Sequence, residues 1–220
     1  MVAPMRGVAQ RGASALAGAG AESRSGSARA KRSTCSWFTA RSVAKAVGGE
    51  VVQGGPTGKG VSTDSRRDCA GEVFVALRGD NHDGHRYLSQ AVAQGAVGLV
   101  VARDHDLAEL LGELRLRPGR APFVVQVEDT GEALMSLAAE HRRRHRAVVV
   151  GITGSCGKTS TKEWLGAVLA ASMPTIRSPG SYNNHIGVPL TLFQLQQETR
   201  AAVVEIGTNA PGEIAALTDI

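Results

Sequence analysis

Lys158 and Thr159 close the turn Thr153-Gly154-Ser155-Cys156-Gly157, and that combination is suited to holding phosphate. Glycines at 154 and 157 let the backbone approach phosphate oxygens closely. Free N–H groups at the start of a following helix, together with its dipole, favour an anion there. In such a loop the Lys158 ammonium reaches the β- and γ-phosphates and the Thr159 hydroxyl holds Mg²⁺. The stretch departs from the strict G-x-x-x-x-G-K-[ST] pattern, because five residues separate Gly151 from Gly157 and Ile152 stands where the first glycine would be. The shorter core, Thr-Gly-x-x-Gly-Lys-Thr, is intact. A second acid-bearing position lies downstream. Ala201-Ala-Val-Val-Glu205 reads as a strand ending in a carboxylate, and strand ends line the phosphate site in P-loop folds, where an acid holds Mg²⁺ directly or through water. Lys158 and Glu205 are therefore the candidate catalytic pair, with Thr159 and Glu205 as candidate metal ligands.

These residues need elements to position them. Val148-Val149-Val150 predicts a short buried strand ahead of the loop. Trp164, Leu165, Val168 and Leu169 fall on one face of the helix behind it. Upstream, Thr39 is a candidate cap for a helix bearing Val43, Ala44 and Val47 and ending at Gly48-Gly49. Strands are expected at Val51-Val52, 72–77, 98–102 and 122–127, with helices over 85–94 and about 106–116. Between them, Gly60 to Arg66 and Arg78 to Gly84 are polar turns, the first offering Asp and Ser side chains to a ligand. Asp129-x-x-Glu132 resembles a capping box and opens a helix carrying Leu134, Leu137, Ala138 and His141 inward. The cluster His141 to Arg146 reads as its solvated, cation-favouring end. After the loop helix, Ser178 to His185 is turn-rich. Pro189 suits the first turn of a short helix, and Pro211 is expected at the first position of another. The fold class is α/β, with a tail over 1–35, a first domain over 36–128, a connecting helix over 129–146 and an ATP-binding unit over 147–220.

Composition narrows the class. The net charge is +5, and residues 1–35 hold six basic groups against one acid, which is the whole excess. The remainder is neutral and carries no electrostatic signature of a nucleic-acid binder. The tail itself is Ala, Gly, Ser and Arg and is expected to be disordered. The cysteines, Cys35, Cys69 and Cys156, show neither a disulfide nor a metal-binding spacing, and a reducing cytoplasm is the simplest setting. No apolar run is long enough to span a membrane. On the residues alone, a P-loop kinase or NTPase stays open, as does a nucleotide-binding module whose basic tail binds RNA.

Four stretches together resemble the Mur ligases of peptidoglycan synthesis. These are Asp64-Ser-Arg66 with Gly71 to Gly79 and Asp83-Gly-His; Gly151 to Ser160; Ser181-Tyr-Asn-Asn-His-Ile-Gly-Val-Pro-Leu-Thr-Leu192; and Val204-Glu-Ile-Gly-Thr-Asn-Ala-Pro-Gly-Glu-Ile214. The last two are similar to the branch of the family that adds D-alanyl-D-alanine. The diaminopimelate- or lysine-adding branch is the alternative. The resemblance implies that Thr153, Gly154, Ser155, Cys156, Gly157, Lys158, Thr159 and Ser160 cradle ATP. It further implies that Thr63, Asp64, Ser65, Arg66, Asn183 and Asn184 contact the UDP moiety and peptide of UDP-N-acetylmuramoyl-tripeptide. His185, where many relatives carry an acid, is a further candidate. The implied reaction passes the γ-phosphate to the tripeptide carboxylate, and D-alanyl-D-alanine attacks the resulting acyl phosphate. ATP and Mg²⁺ are the implied cofactors, and a monomer is expected. Because the family continues past the position of Ile220, the expectation is a fragment, inactive alone and only partly stable.

Overall fold

The computed structural model describes residues 37–79, 82–115, 121–208 and 210–220; the predicted disordered tail lies outside them. Two β-sheets organise the described chain. The first contains β1 (Glu50–Gln53), β2 (Gly60–Ser62), β3 (Glu72–Val75), β4 (Gly98–Ala102) and β5 (Phe123–Val127) in the order β1-β5-β4-β3-β2. Every pairing is parallel except β1 with β5. Helix α1 (Ala40–Val47) precedes it, α2 (Leu88–Ala93) links β3 to β4, and α3 (Ala108–Arg115) links β4 to β5.

The local reasons match the sequence. Thr39 Oγ1 accepts from the Ser42 N–H, and Gly48 ends α1 at φ +63, where a side chain would be strained. β4 is buried along its whole length, as an interior parallel strand covered on both faces should be. Its Gly98 has no room for a side chain: an added Cβ would lie 2.2 Å from the Phe123 ring. The predicted helix over 85–94 begins one residue earlier as a 3-10 turn (Gly84–Tyr87) and becomes α-helical only at Leu88.

Helix α4 (Thr130–Arg143) joins the two halves. Asp129 Oδ1 accepts from the N–H groups of Gly131 and Glu132, at 2.7 and 2.9 Å. Leu134 and Leu137 pack into one apolar cluster with Phe38, Val75 and Phe123. Ala138, one residue on, packs into another with Val188, Leu195 and Val204. Trp37 and His141 extend this junction. The Trp37 indole donates to His141 Nδ1 at 3.2 Å, so the proton of the neutral ring is on Nε2, which donates to the Leu195 carbonyl at 3.3 Å. The basic helix end is occupied locally: Arg143 and Arg144 pair with Glu140, and Arg144 also stacks over Trp37.

The second sheet has β6 (Val148–Ile152), β7 (Thr175–Arg177) and β8 (Ala201–Glu205), all parallel, in the order β6-β8-β7. Helix α5 (Lys158–Ala170) follows β6, α6 (Gly187–Leu192) precedes β8, and α7 (Glu213–Thr218) follows it. Several expectations are corrected here. The run Val148–Val150 is an edge strand rather than a buried one, with Val148 65% exposed. Helix α5 turns Lys162 and Gly166 inward and leaves Trp164 and Val168 exposed, because the sheet it covers has β8 and β7 on the side the helix meets. The strand β7 was not anticipated. Pro211 precedes α7 rather than opening it, with Gly212 at the cap.

Candidate functional site

The register of the second sheet sets the site. Ile152, the last residue of β6, pairs with Glu205, the last of β8. Chain and carboxylate therefore leave the sheet together, with the loop 153–157 immediately beyond. Gly154 and Gly157 have φ of +149 and +78, the conformations for which glycine is suited. Gly157 stands at the N-cap of α5 with no side-chain cap, so the first-turn N–H groups face outward as an anion site requires. Lys158 Nζ donates to the Gly154 carbonyl at 2.6 Å and so spans the loop. Thr153, Ser155, Cys156, Thr159 and Ser160 are exposed around it. Cys156 is a free thiol, as is the buried Cys69.

Glu205 is the centre of the arrangement. It is 2% exposed. Its Oε2 accepts from the Thr159 hydroxyl and its Oε1 from the Asn183 amide, both at 3.0 Å. Lys162 Nζ lies 3.5 Å from Oε2. Burial pushes the carboxyl up, but the Asn183 and Thr159 hydrogen bonds and the Lys162 charge outweigh it, and its pKa lies below the ordinary value. The backbone N–H of Glu205 donates to Ser178 Oγ at 3.0 Å. Since Thr159 gives its only proton to Glu205, its oxygen keeps lone pairs toward the loop. An ionised carboxylate beside a hydroxyl oxygen is a hard-donor set that fits Mg²⁺.

A cleft of about 870 Å³ lies between the halves. Thr63, Asp64, Ser65 and Arg66 form one wall, and Ser181, Tyr182, Asn184 and His185 the other. All the positions expected at the UDP-linked substrate line it except Asn183, which is turned toward Glu205. Asp64 accepts from Arg66 through both oxygens, Nε at 2.9 Å and Nη2 at 3.0 Å. Those hydrogen bonds hold its carboxyl down to about 2 and present the Arg66 fork beside the cleft. Ser65 is buried and donates to Gln90 Oε1 at 3.3 Å. His85 is buried beneath the rim, accepting from the Ala102 N–H through Nε2 and bonding Asp83 through Nδ1. The sequence reading missed Arg78, Tyr87, Tyr182, Ile186 and Leu190 in the lining, and Lys162 beneath Glu205. Arg78, Tyr182, Ile186 and Leu190 stand inside the stretches that carry the family resemblance, whereas nothing in the local sequence marks Tyr87 or Lys162.

Two family models match the chain, the Mur ligase family catalytic domain over residues 58–142 and the Mur ligase middle domain over 152–220. Among curated relatives, UDP-N-acetylmuramoyl-tripeptide–D-alanyl-D-alanine ligase of Synechocystis is 41% identical over 160 residues, 73% of this chain and 33% of the relative. The Escherichia coli protein of the same name is 41% identical over 169 residues, 76% of this chain and 34% of the relative. The chain thus spans about a third of the length of the curated relatives it matches. Among solved structures, MurF of Acinetobacter baumannii superposes with a TM-score of 0.71 at 34% identity, covering 82% of this chain and 38% of that one. MurF ligase of Thermotoga maritima, in complex with ADP, gives 0.58 at 32% identity over 71% of this chain and 34% of that one.

Proposed function

The chain belongs to the Mur ligase family, and on that premise we propose that it supplies the acceptor cleft and phosphate loop of an ATP-dependent ligase that joins D-alanyl-D-alanine to UDP-N-acetylmuramoyl-tripeptide. The observation that carries this reading is the hydrogen bond from Asn183 to Glu205. It ties the carboxylate beside the phosphate loop to the strand of chain whose neighbours, Tyr182, Asn184 and His185, wall the cleft. A phosphate donor and a carboxylate acceptor thereby meet across one short segment. Held to the chain's own length, the reading gives these residues substrate and nucleotide contacts; the full reaction belongs to the whole ligase.

In this reading the first-turn N–H groups of α5 and the Lys158 ammonium hold the β- and γ-phosphates. Mg²⁺, held by Thr159 and Glu205, would neutralise charge on those phosphates as the γ-phosphoryl group leaves. The reacting groups are both anionic, so cationic and N–H groups must offset their repulsion before the tripeptide carboxylate can attack. Arg66 and the backbone of the Asp64 turn grip the UDP end. Binding energy at that remote end orients the carboxylate toward the γ-phosphate. The resulting acyl phosphate is open to attack by the amine of D-alanyl-D-alanine, releasing phosphate and forming the amide.

Calorimetric titration of the chain tests the reading. UDP-N-acetylmuramoyl-tripeptide is expected to bind with one site per chain, and Arg66→Ala to weaken it at least tenfold. Mg²⁺-ADP is expected to bind separately and to be lost in Lys158→Ala. Binding of Mg²⁺-ADP with no detectable affinity for the UDP-linked tripeptide would instead favour a plain P-loop nucleotidase.

A further inference from the structure

Lys162 is the most buried charged side chain at the site and has no role in the reading above. It lies one helical turn beyond Lys158 on α5, yet its side chain is 0% exposed. A lysine is almost never fully buried unless its ammonium is partnered. Here three acceptors surround Nζ: the Gly180 carbonyl at 2.6 Å, Glu163 Oε1 at 3.3 Å and Glu205 Oε2 at 3.5 Å. The short contact goes to Gly180, so the hydrogen bond is committed to the backbone of the 178–187 segment, with Glu205 receiving charge at slightly longer range.

Gly180 begins the stretch that forms the cleft wall. The next residues, Ser181, Tyr182, Asn184 and His185, line the cleft, and the segment is secured at a second point. Asn183 donates from Nδ2 to Glu205 Oε1, and its carbonyl accepts from the Gly207 N–H at 2.7 Å. Gly187, at the far end, packs against Tyr182 so closely that an added Cβ would lie 2.5 Å from its Cα. The wall is therefore pinned at Gly180 and at Asn183, and both pins run to groups beside the phosphate loop.

We propose that Lys162 is a positioning residue for the acceptor substrate: from the helix that opens at the phosphate loop, it pins Gly180 and so fixes the wall of the cleft at which the UDP-linked peptide is held. It touches neither ligand. It acts through Gly180 on the wall and through its charge on Glu205. The acceptor half of this statement rests on the proposed ligase reading; the pinning of the wall does not.

Hydrogen–deuterium exchange and calorimetry on the whole chain separate the two. Lys162→Met removes the ammonium at nearly constant volume, Lys162→Arg retains a cation, and Leu195→Ala serves as a destabilised control in the neighbouring apolar cluster. In Lys162→Met, amides 181–186 are expected to exchange at least tenfold faster, with those of 153–159 changed less than threefold. Lys162→Arg is expected to recover part of the protection, and Leu195→Ala to show no selective rise at 181–186. UDP-N-acetylmuramoyl-tripeptide affinity should fall at least tenfold in Lys162→Met while Mg²⁺-ADP affinity falls less than threefold. Unchanged exchange at 181–186 would overturn the proposal, as would an equal selective rise in Leu195→Ala. If the wild-type chain binds no UDP-linked tripeptide, the ligase reading fails, and the exchange data still decide whether Lys162 pins the wall.

Discussion

The Thr159 hydroxyl donates to Glu205 Oε2 across 3.0 Å, linking the first turn of the helix after the phosphate loop to the end of the central strand of its sheet. The bond orients the hydroxyl so that its proton faces the carboxylate and its lone pairs face the loop. Breaking it from either side should therefore have different consequences. Thr159→Ser keeps the bond and should bind Mg²⁺-ADP within a few-fold of the parent. Thr159→Val removes the hydroxyl proposed to hold the metal and leaves Glu205 with one hydrogen bond fewer, and should weaken Mg²⁺-ADP by about 1–3 kcal/mol. Nucleotide titrations with Mg²⁺ and with EDTA check this: the difference between the variants should vanish in EDTA.

Gly157 sits at φ +78 with nothing within 4 Å of where a Cβ would be. The cost of a side chain there is conformational rather than steric, about 1–2 kcal/mol for alanine and less for asparagine, which tolerates the left-handed region. Gly157→Asn should accordingly be more stable than Gly157→Ala in urea unfolding. Gly98 is the opposite case. Its backbone is ordinary, but the Phe123 ring occupies the place of a side chain, and Gly98→Ala should cost about 1–3 kcal/mol through overpacking.

His141 gives the fold a pH dependence of defined sign. Burial, the nearby His145 and, less strongly, Arg144 disfavour the imidazolium, against a smaller opposing pull from the Leu195 carbonyl, and its pKa falls to about 4 from an ordinary 6.5. The neutral ring is the one that accepts from Trp37. Its contribution to stability is therefore complete above pH 6.5 and lost progressively as the pH falls toward 4, because the unfolded chain takes up the proton first. By pH 5 the loss should be about 2 kcal/mol. Urea midpoints at pH 7.5 and 5.0 measure it, and His141→Leu should flatten that difference even though it lowers stability at both values.

Asp129 caps α4 through Gly131 and Glu132. Asp129→Ala should destabilise the chain by about 1 kcal/mol, read as a lowered urea midpoint. Because α4 contributes to both apolar clusters, the unfolding transitions followed by Trp37 and by Trp164 should shift together.

The pattern of what sequence revealed follows the range of the forces involved. The phosphate loop, the caps of α1 and α4, and the interior strands β4 and β5 depend on local residue chemistry, and were legible. The exposure of Val148 was not, because a β-branched run looks the same whether a sheet continues beside it or stops. The orientation of α5 was misread for a related reason. Trp164 and Val168 form an apolar stripe, but the Gly180 carbonyl and Glu205 supply acceptors for Lys162, and Arg177 of β7 approaches Gly166 closely, on another face. β7 is a three-residue strand whose only identity is its pairing with β8. Glu205 could be chosen from its place at a strand end. That Asn183 faces Glu205 while its neighbours face the cleft depends on a turn in which adjacent side chains point apart, and residue type carries no record of that.

The most direct test of the central claim, that a UDP-linked acceptor and a nucleotide meet at the 178–187 segment, is an amide NMR titration of the isotopically labelled chain. UDP-N-acetylmuramoyl-tripeptide should shift resonances of Thr63 to Arg66 and Ser181 to His185, Mg²⁺-ADP should shift those of Gly154 to Ser160, and Asn183 and Glu205 should respond to both. A tripeptide response that spares both cleft walls, or two ligands with no residue in common, would contradict the account.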